Sequence, residues 1–559
     1  MRIRRRSERA AEPDGLSAPT GAVGDSVVVA SWTMVSRMTG FVRVAVTAAV
    51  LGPTYFGNTY QATNALPNIV YYGLLAGSLM SSLLVPALVG HIDHGRRAAC
   101  ERLGGGVLGL SLLGVASLLP VAFLAAPLLL QLTALGSVAA ADAEQQERIA
   151  RLFLLLLLPQ VFLYAVVACS AAVMNAHRRF ALPAGAPAVE NLGSIAVLVA
   201  TGLCYPVPSS LSDIPLGEIL LLGLGTTAAV GLHAALQWYG ARRTGIVLRP
   251  ALGWRDAEVK ALVRRSLPAL LQAALEAVQL LCVLFVANRV AGGVIAYQVA
   301  QNFFFLPLAL GATPVALSLL PRLSRLHQRN DDPAFRDTTV RGLRFALFVA
   351  APAAAVLAVL CEPLALTVSY GRMVADGGDA LVAAALLALA PGVVAETAFL
   401  VTIYASYARS DTRSPLVSTT LKTATCLALL AVAMTVHGAA VVAVVGLAVS
   451  AAAIAGATHR VSSLLSGLPG GRERLVPSAL RTLASAVVMA GPLWVGAHLL
   501  SGATDHRLVL AGTAVTCLVG GAAYLGVQCA LRAPEAAWLL AALRRRRRDL
   551  AVEGAEVTR

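Results

Sequence analysis

Long apolar stretches constrain this chain more than any other feature of its sequence. A transmembrane helix needs about 20 consecutive, mainly apolar residues, and fourteen stretches of the chain meet that requirement. They span residues 27–51, 60–90, 104–132, 152–174, 184–205, 216–240, 263–288, 295–321, 343–362, 380–407, 414–436, 438–458, 478–500 and 508–531. Charged residues make up only 13% of the chain, about half the share that is usual in a globular protein. We therefore predict an all-α polytopic membrane protein with about 14 transmembrane helices.

The distribution of basic residues predicts how these helices are oriented. With the N-terminus inside, the inner loops, the tails and the adjoining inner ends of the stretches hold 36 of the 44 lysines and arginines, whereas the outer loops hold five. Cytoplasmic loops of membrane proteins carry such an excess of positive charge, so we predict that both termini are cytoplasmic. Because the basic residues are spread among loops, the net charge of +15 does not indicate a nucleic-acid partner.

Short repeated motifs divide the chain into two halves. S-L-L-V-P at 82–86 has a counterpart in S-L-L-P at 318–321, and two arginine-containing turns end at Pro183 and Pro415. Parallel repeats around a central site are a transporter architecture, so we predict two six-helix lobes in parallel pseudo-repeat plus two C-terminal helices. The predicted segments are a disordered basic cytoplasmic tail (1–25), an N-lobe of helices 1–6 (26–241), a C-lobe of helices 7–12 with a basic cytoplasmic linker at its start (242–462), helices 13 and 14 (463–532) and a basic cytoplasmic tail (533–559).

Two arginines, Arg37 and Arg43, lie inside the first apolar stretch. A charged side chain at the centre of a bilayer costs about 3 kcal/mol on insertion scales. On one helix the two residues are separated by about 9 Å along the axis and about 120° around it, so they can line one wide cavity. The planar guanidinium group suits phosphate oxygens, which favours an anion site for a phosphate-bearing substrate. The alternative is a structural salt bridge or carbonyl cap within the bundle.

Four other charged residues lie well inside apolar stretches, away from their ends. Glu190 and Lys422 each follow one of the two turn prolines by seven residues, so they could pair across the halves, act as gating groups, or bond only their own neighbours. Glu276 and Glu396 are isolated carboxylates in the sequence, and each is either a proton or cation site or a satisfied packing group. We predict gating or ion-coupling roles for all four.

Motifs for covalent chemistry are missing from the sequence. It contains no Walker loop, no G-x-S-x-G and no H-E-x-x-H motif, so we predict no catalytic residues, no enzymatic activity and no cofactor. The eight cysteines are dispersed, and we predict buried hydrophobic side chains rather than disulfides or a metal site. Transport energy then comes from the membrane potential or an ion gradient. Gly105 and Gly109 form a G-x-x-x-G motif, which predicts a close-packing face.

An ordered set of motifs resembles the MurJ/MviN family of lipid II flippases, within the superfamily of multidrug and oligosaccharidyl-lipid exporters. The motifs are S-R-M-T-G-F-V-R (36–43), L-P-N (66–68), N-A-H-R-R-F-A-L-P-A-G-A-P-A-V-E-N (175–191), L-P-L-A-L-G-A-T-P-V-A-L-S-L-L-P-R-L-S-R (306–325) and Y-A-R-S-D-T-R-S-P (407–415). The resemblance implies two lobes in a V around a cationic cavity, and alternating access. It also implies that the last two helices add a hydrophobic groove for a polyprenyl tail.

The resemblance also implies a set of substrate-binding residues. Arg37 and Arg43 match cavity arginines of the family that would hold a diphosphate. Asn68 belongs to the P-N pair, and Tyr71, Tyr72 and Asn302 occupy positions where the family usually has arginines. We predict that these six residues bind the substrate.

The resulting functional prediction is a flippase of the bacterial cytoplasmic membrane, active in peptidoglycan biosynthesis and cell shape. It would move a lipid-linked cell-wall precursor, lipid II, from the inner to the outer leaflet. Its expected partners are that precursor, membrane lipids and cell-wall synthesis proteins. The alternatives are a cation-coupled multidrug exporter that uses Glu276 or Glu396, an exporter of another lipid-linked saccharide, and a non-transporting cell-wall scaffold.

Overall fold

Helices make up the regular structure of this protein. The computed structural model describes residues 20–71, 84–134, 140–205, 210–467, 470–503 and 505–537, and these residues contain no β-strand. The helices are α1 Thr20–Leu51, α2 Tyr55–Val70, α3 Val85–Asp93, α4 Arg97–Ala134, α5 Ala140–Leu157, α6 Pro159–Ala176, α7 Ala181–Cys204, α8 Leu216–Arg242, α9 Ala257–Ala287, α10 Gly293–Pro307, α11 Thr313–Gln328, α12 Asp332–Val359, α13 Cys361–Val368, α14 Arg372–Ala375, α15 Gly378–Ala408, α16 Arg413–Ala433, α17 Ala440–Ser466, α18 Gly471–Leu500 and α19 His506–Ala530. The predicted all-α fold is confirmed.

The helices agree closely with the predicted membrane spans. Within the described ranges, 13 helical segments are long and apolar enough to cross a membrane, and they coincide with thirteen of the fourteen predicted stretches. The other stretch, 60–90, includes residues 72–83, which lie outside the described residues, and α2 and α3 flank this gap. The total of fourteen spans and the cytoplasmic termini stay predictions.

Local signals in the sequence set several helix boundaries. The Thr54 side chain accepts a hydrogen bond from Gly57 N at the start of α2, and the Asp256 side chain accepts bonds from Glu258 N and Val259 N at the start of α9. Such caps satisfy backbone N–H groups that have no partner within the helix. The predicted fourth span is divided between α5 and α6, because Pro159 begins a new helix.

The helices pack in two main sets, and the largest hydrophobic core is continuous between them. In the first half, α7 packs between α1 and α8, α6 packs on α8, and α2 packs on α5. In the second half, α15 packs against α12, α17 and α10, while α16 packs against α9 and α17. Helices α18 and α19 pack together and lie against α12 and α13. We call the first two sets the N-lobe and the C-lobe.

The lobes are hydrogen-bonded to each other where α1 ends and α2 begins. The Asn58 side chain donates to Val290 O at 2.7 Å and accepts from Val294 N at 3.0 Å. One turn further along α2, Gln61 Nε2 donates to Gln298 Oε1 at 2.7 Å. We call these five residues the lobe clasp. Under the predicted topology, the lobe clasp lies at the outer end of the bundle.

The linker between the lobes crosses α4 at a stripe of glycines. Ala251 N donates to Gly105 O at 3.0 Å. A Cβ atom on Gly105 would lie 2.3 Å from Arg249 O, and one on Gly109 would lie 1.9 Å from Ala251 O. The predicted close-packing face is therefore confirmed, and the surface packed on it is the backbone of the linker.

A buried carboxylate anchors the end of the described chain. Glu535 accepts hydrogen bonds from Arg344 on α12 and from Ser478 and Arg481 on α18. Burial alone would raise the pKa of Glu535, but the bonds from Ser478 and Arg344 hold that pKa below its ordinary value. The first residues of the predicted tail (533–559) are thus packed against the C-lobe. Residues 1–19 and 538–559 of the two predicted tails lie outside the described residues.

Candidate functional site

A cavity of about 840 Å³ lies between the two lobes. Helices α1, α2, α6, α7 and α8 line it on one side, and α9, α10, α15, α16 and α17 line it on the other. Nine of the ten predicted site residues line this cavity: Arg37, Arg43, Asn68, Tyr71, Glu190, Glu276, Asn302, Glu396 and Lys422. The tenth, Tyr72, lies outside the described residues. The geometry thus brings the candidates together, and their roles stay predictions.

The two arginines of α1 differ in their surroundings. Arg37 is exposed to the cavity, and no carboxylate of the described residues lies within the 4.0 Å ion-pair distance of it. Arg43 is partly buried, with Nη1 at 3.9 Å from Glu190 Oε1. Of the two arginines, only Arg43 lies near a carboxylate of the described chain. At 3.9 Å, the structural salt bridge considered as an alternative is a long one. Arg37 has its hydrogen-bonding groups available to an anion.

A buried polar network surrounds Glu190 in the N-lobe. His233 Nδ1 lies 2.7 Å from Glu190 Oε2, and the Tyr164 hydroxyl lies 2.8 Å from Glu190 Oε1. The same hydroxyl is 3.1 Å from Asn68 Oδ1, and the ring of Tyr71 stacks on Tyr164 with centroids 4.7 Å apart. Asn68 and Tyr71 therefore connect the cavity wall to the carboxylate.

His233 and Tyr164 were not among the predicted site residues, because neither carries a fixed charge. A histidine inside an apolar span was the available signal. Histidine titrates near neutral pH, and an intramembrane ionisable residue indicates function. His233 is 1% exposed and Tyr164 is 1% exposed, so both belong to the interior of the N-lobe.

The C-lobe side of the cavity contains a second charged group. Lys422 Nζ donates to both oxygens of Glu396, at 2.7 and 2.8 Å, and lies 5.0 Å from the centre of the Phe399 ring. Glu276 lines the same wall, close enough to Lys422 and Glu396 for electrostatic interaction. Glu396 is isolated in the sequence, and α15 and α16 place it beside Lys422 in the structure.

The proposed pairing of Glu190 with Lys422 does not occur in this structure. Glu190 is bonded to His233 and Tyr164 within the N-lobe, and Lys422 is bonded to Glu396 within the C-lobe. Each charge has a nearer partner on a neighbouring helix of its own lobe. Residues at matched positions of a sequence repeat occupy equivalent sites in the two lobes. Equivalent sites need not be adjacent.

Asn302 is held by its own helix on the C-lobe side. Its Nδ2 donates to Gln298 O at 2.7 Å, and Gln298 belongs to the lobe clasp. This arrangement places a neutral amide beside the clasp, at a position where the family resemblance implies an arginine.

The charges around the cavity are separated between its two walls. Its described lining contains three cations, Arg37, Arg43 and Lys422, and three carboxylates, Glu190, Glu276 and Glu396. With neutral His233 their sum is zero, so the cationic cavity implied by the family resemblance is not found among these residues. The N-lobe wall carries the net positive charge and the C-lobe wall the net negative charge. An anion is therefore favoured on the N-lobe wall, beside α1.

An apolar groove of about 1030 Å³ lies on the C-lobe, apart from the charged cavity. Helices α12, α15, α17 and α18 form its walls, and nearly all of its lining residues are alanine, leucine, valine or isoleucine. Thr458 and Ser462 contribute its only hydroxyl groups among the lining residues. Such a surface suits a hydrocarbon chain.

Comparisons with known proteins agree on one family. The family described as "Lipid II flippase MurJ" matches residues 47–510. The "Probable lipid II flippase MurJ" of Rhizobium meliloti is 28% identical over 393 residues, which cover 69% of this chain and 70% of that protein. The corresponding protein of Haemophilus influenzae is 26% identical over 398 residues, which cover 68% and 75% of the two chains.

Solved structures show the same fold. A structure of "Lipid II flippase MurJ, inward closed conformation" superimposes with a TM-score of 0.70 at 17% identity, covering 90% of this chain and 98% of that one. An inward-facing multidrug resistance MATE family transporter superimposes with a TM-score of 0.60 at 13% identity, covering 81% and 98%. At these identities the likeness concerns the fold alone.

Proposed function

This chain belongs to the lipid II flippase MurJ family, and from that premise we propose that it moves lipid II, a polyprenyl-diphosphate-linked peptidoglycan precursor, from the inner to the outer leaflet of the bacterial cytoplasmic membrane. The lobes alternate in opening the cavity to either side. The chain does not alter its substrate covalently, and it therefore needs no catalytic group.

The observation that carries this proposal is the uncompensated Arg37 beside Arg43 on the N-lobe wall. A guanidinium without an ion-pair partner is costly within a membrane, and the cost is offset when an anion binds. Arginine presents a planar fork of donors that matches phosphate oxygens. In the proposed complex, Arg37 and Arg43 hold the diphosphate, and Asn68, Tyr71 and Asn302 contact the groups attached to it.

The arrangement of the lobes supports transport by alternating access. The lobe clasp joins them at one end, while at the opposite end the start of α9 and the linker are tied to the N-lobe through His91 and Arg102. Under the predicted topology the clasp closes the outer side of the cavity. Breaking the clasp would be the step that opens the cavity outward.

The apolar groove supports a lipid-linked cargo. A polyprenyl chain attached to the diphosphate must remain in an apolar environment while its head group crosses the cavity. The groove on α12, α15, α17 and α18 offers that environment within the protein. We propose that it holds the tail, and that the membrane potential or an ion gradient supplies the energy.

Complementation of a flippase-depleted bacterium tests the proposal. We expect the intact chain to restore growth, and Arg37→Ala and Arg43→Ala each to weaken rescue by about tenfold or more, since a hydrogen bond to a charged group contributes about 1.5–3 kcal/mol. Arg507→Ala is the control, because Arg507 lies outside the cavity near the start of α19. Membrane levels of all four proteins are compared on blots.

Two other outcomes would contradict the proposal. If an intact, well-inserted chain fails to restore growth, the cargo is not lipid II. If both arginine variants restore growth as well as the intact chain does, the diphosphate is not held at this site.

The main rival is a cation-coupled multidrug exporter, favoured by the two carboxylates on the C-lobe wall. In that case Glu276→Gln and Glu396→Gln would abolish drug resistance while the arginine variants retain it.

A further inference from the structure

Glu190 and His233 form a buried acid–base pair within the N-lobe. Glu190 on α7 is 7% exposed and His233 on α8 is 1% exposed, and Nδ1 of the histidine lies 2.7 Å from Oε2 of the carboxylate. Both residues nevertheless line the cavity between the lobes. The pair is therefore shielded from bulk solvent and adjacent to the proposed anion site.

Few ionisable groups face this pair. Arg43 approaches from α1, with Nη1 3.9 Å from Glu190 Oε1, and the Tyr164 hydroxyl approaches from α6 at 2.8 Å. Asn68 and Tyr71, at the end of α2, contact Tyr164 rather than the carboxylate. On α8 itself the neighbour of His233 is the neutral Gln237. Among described residues, the Glu190 carboxylate thus has one full cationic neighbour, Arg43.

The surroundings of His233 can accommodate a second proton. Gln237 Nε2 lies 3.3 Å from His233 Nε2, which is the contact expected when the unprotonated ring nitrogen accepts from the amide. Gln237 Oε1 is buried and has no hydrogen-bond partner. Rotating the amide by half a turn would place Oε1 where Nε2 now lies, ready to accept from a protonated Nε2–H. The change needs no movement of the backbone.

The charges explain what such a proton would accomplish. With neutral His233, the Glu190 carboxylate offsets Arg43, and the N-lobe wall carries only the net charge of Arg37. A diphosphate esterified at both ends carries two negative charges. One added proton on the pair brings the net charge of the wall to two, which matches that anion. The same proton also weakens the electrostatic attraction between Glu190 and Arg43.

We propose that Glu190 and His233 form a proton-binding site whose protonation releases Arg43 for the phosphate oxygens, so that the protein takes up one proton as it binds its anionic substrate. The proton comes from solution, and no covalent bond changes. The inference rests on the proposed function in requiring that a diphosphate enters the cavity. By linkage, a proton that favours anion binding is itself bound more tightly when the anion is present.

The sign of the pH effect follows from that linkage. The protonated site binds the anion more tightly, so affinity is high at low pH and falls as pH rises. Where one proton is taken up per anion, the affinity falls by about tenfold for each pH unit. A site without proton linkage would show no such slope for a ligand whose own charge is constant.

Isothermal titration calorimetry on the full chain in detergent micelles measures the uptake directly. The probe is farnesyl-diphospho-N-acetylglucosamine, because its doubly esterified diphosphate does not titrate near neutral pH. Titrations run between about pH 5.5 and about pH 8.5, the range in which histidine changes charge. Each pH is measured in two buffers with different ionisation enthalpies, and the difference in heat gives the number of protons bound.

Four variants complete the experiment. We expect uptake to approach about one proton per probe in the intact chain, and to be lost in Glu190→Gln and His233→Gln while both still bind the probe. Glu218→Gln is the matched control, since Glu218 is another buried carboxylate, on α8, that does not line the cavity. Gln237→Leu removes the acceptor for the second proton, so its decline in affinity should occur at lower pH than in the intact chain.

The outcomes separate this inference from the proposed function. If the probe binds the intact chain with no proton uptake and no pH slope, the proton site is excluded while the anion site stands. If uptake persists in both Glu190→Gln and His233→Gln, the proton binds elsewhere and the inference is overturned. If the probe does not bind at any pH, the anion site and the proton site both fail. If a variant no longer binds the probe, its midpoint of thermal unfolding shows whether it is still folded. Gln237→Leu keeps both members of the pair, so the pH dependence of its affinity then decides.

Discussion

At the scale of single residues, the Lys422–Glu396 pair allows a test of how buried charges are stabilised. Lys422 is 7% exposed, and its ammonium contacts both oxygens of Glu396. Breaking a buried ion pair leaves an uncompensated charge and costs about 3 kcal/mol or more. We expect Lys422→Met to lower the midpoint of thermal unfolding in detergent more than Glu396→Gln does. Lys422→Met leaves the carboxylates of Glu276 and Glu396 near each other without a cation, whereas Glu396→Gln leaves Lys422 near Glu276.

The other lysine of the chain provides the control for this prediction. Lys260 is exposed at the start of α9, and Lys260→Met should leave the midpoint almost unchanged. The double variant Lys422→Met/Glu396→Gln should recover part of the loss, because it removes both charges together. Equal shifts for Lys422→Met and Lys260→Met would show that the pair contributes nothing to stability.

Charges within apolar spans revealed the charged members of the site, and this signal left out neutral members. Arg37, Arg43 and Lys422 could be found because a charge in an apolar span has a cost that requires an explanation. His233 and Gln237 carry no such cost and were missed. The sequence also could not show which charges pair, because pairing depends on distances between helices. The resemblance to a family located Asn68 and Asn302, although it implied more positive charge than the described cavity contains.

At the scale of elements, the glycine stripe of α4 makes a prediction about the linker. Any side chain at Gly109 must displace the backbone of the linker, since a Cβ atom there would lie 1.9 Å from Ala251 O. We expect Gly109→Val to release the linker, so that trypsin cleaves faster at Arg249 and Arg255 in inside-out vesicles.

Gly114→Val tests whether that effect is specific to the contact. Gly114 is on the same helix, and a Cβ atom there meets nothing within 4 Å. Cleavage at the same rate in Gly109→Val and Gly114→Val would mean that glycine packing does not hold the linker.

Helices were the most predictable part of this protein. Thirteen predicted spans match described helices because span length is set by bilayer thickness and not by tertiary contacts. Interruptions within a span were less predictable. Pro159 divides an apolar run into α5 and α6, and hydrophobicity alone carries no sign of that division. The G-x-x-x-G motif indicated close packing, but the partner could have been a helix, a loop or another chain.

At the scale of the whole molecule, the division into two lobes follows from the repeats, whereas their relative position does not. Repeats describe each lobe separately. The contact between the lobes depends on neutral side chains such as Asn58 and Gln61, which resemble many other polar residues in the sequence. A transporter also has more than one arrangement of its lobes, and one sequence encodes all of them.

Cross-linking the lobe clasp tests whether its opening is required for function. Gln61 and Gln298 are hydrogen-bonded across the two lobes. In a background with the exposed Cys204 and Cys529 changed to serine, Gln61→Cys and Gln298→Cys are combined and joined by a short, reducible bis-thiosulfonate reagent. We expect the linked protein to lose transport of a fluorescent lipid II analogue in proteoliposomes, because a fixed clasp prevents one of the two states.

Reduction of the link should restore transport, which separates a locked state from a damaged protein. Each single cysteine variant treated with the same reagent is the matched control, since it carries the modification without the tether and should transport normally. Both lobes must move apart at the clasp if access alternates, so a linked protein that transports at the untreated rate would exclude this opening from the cycle. The movement that opens the cavity outward would then have to occur elsewhere between the lobes.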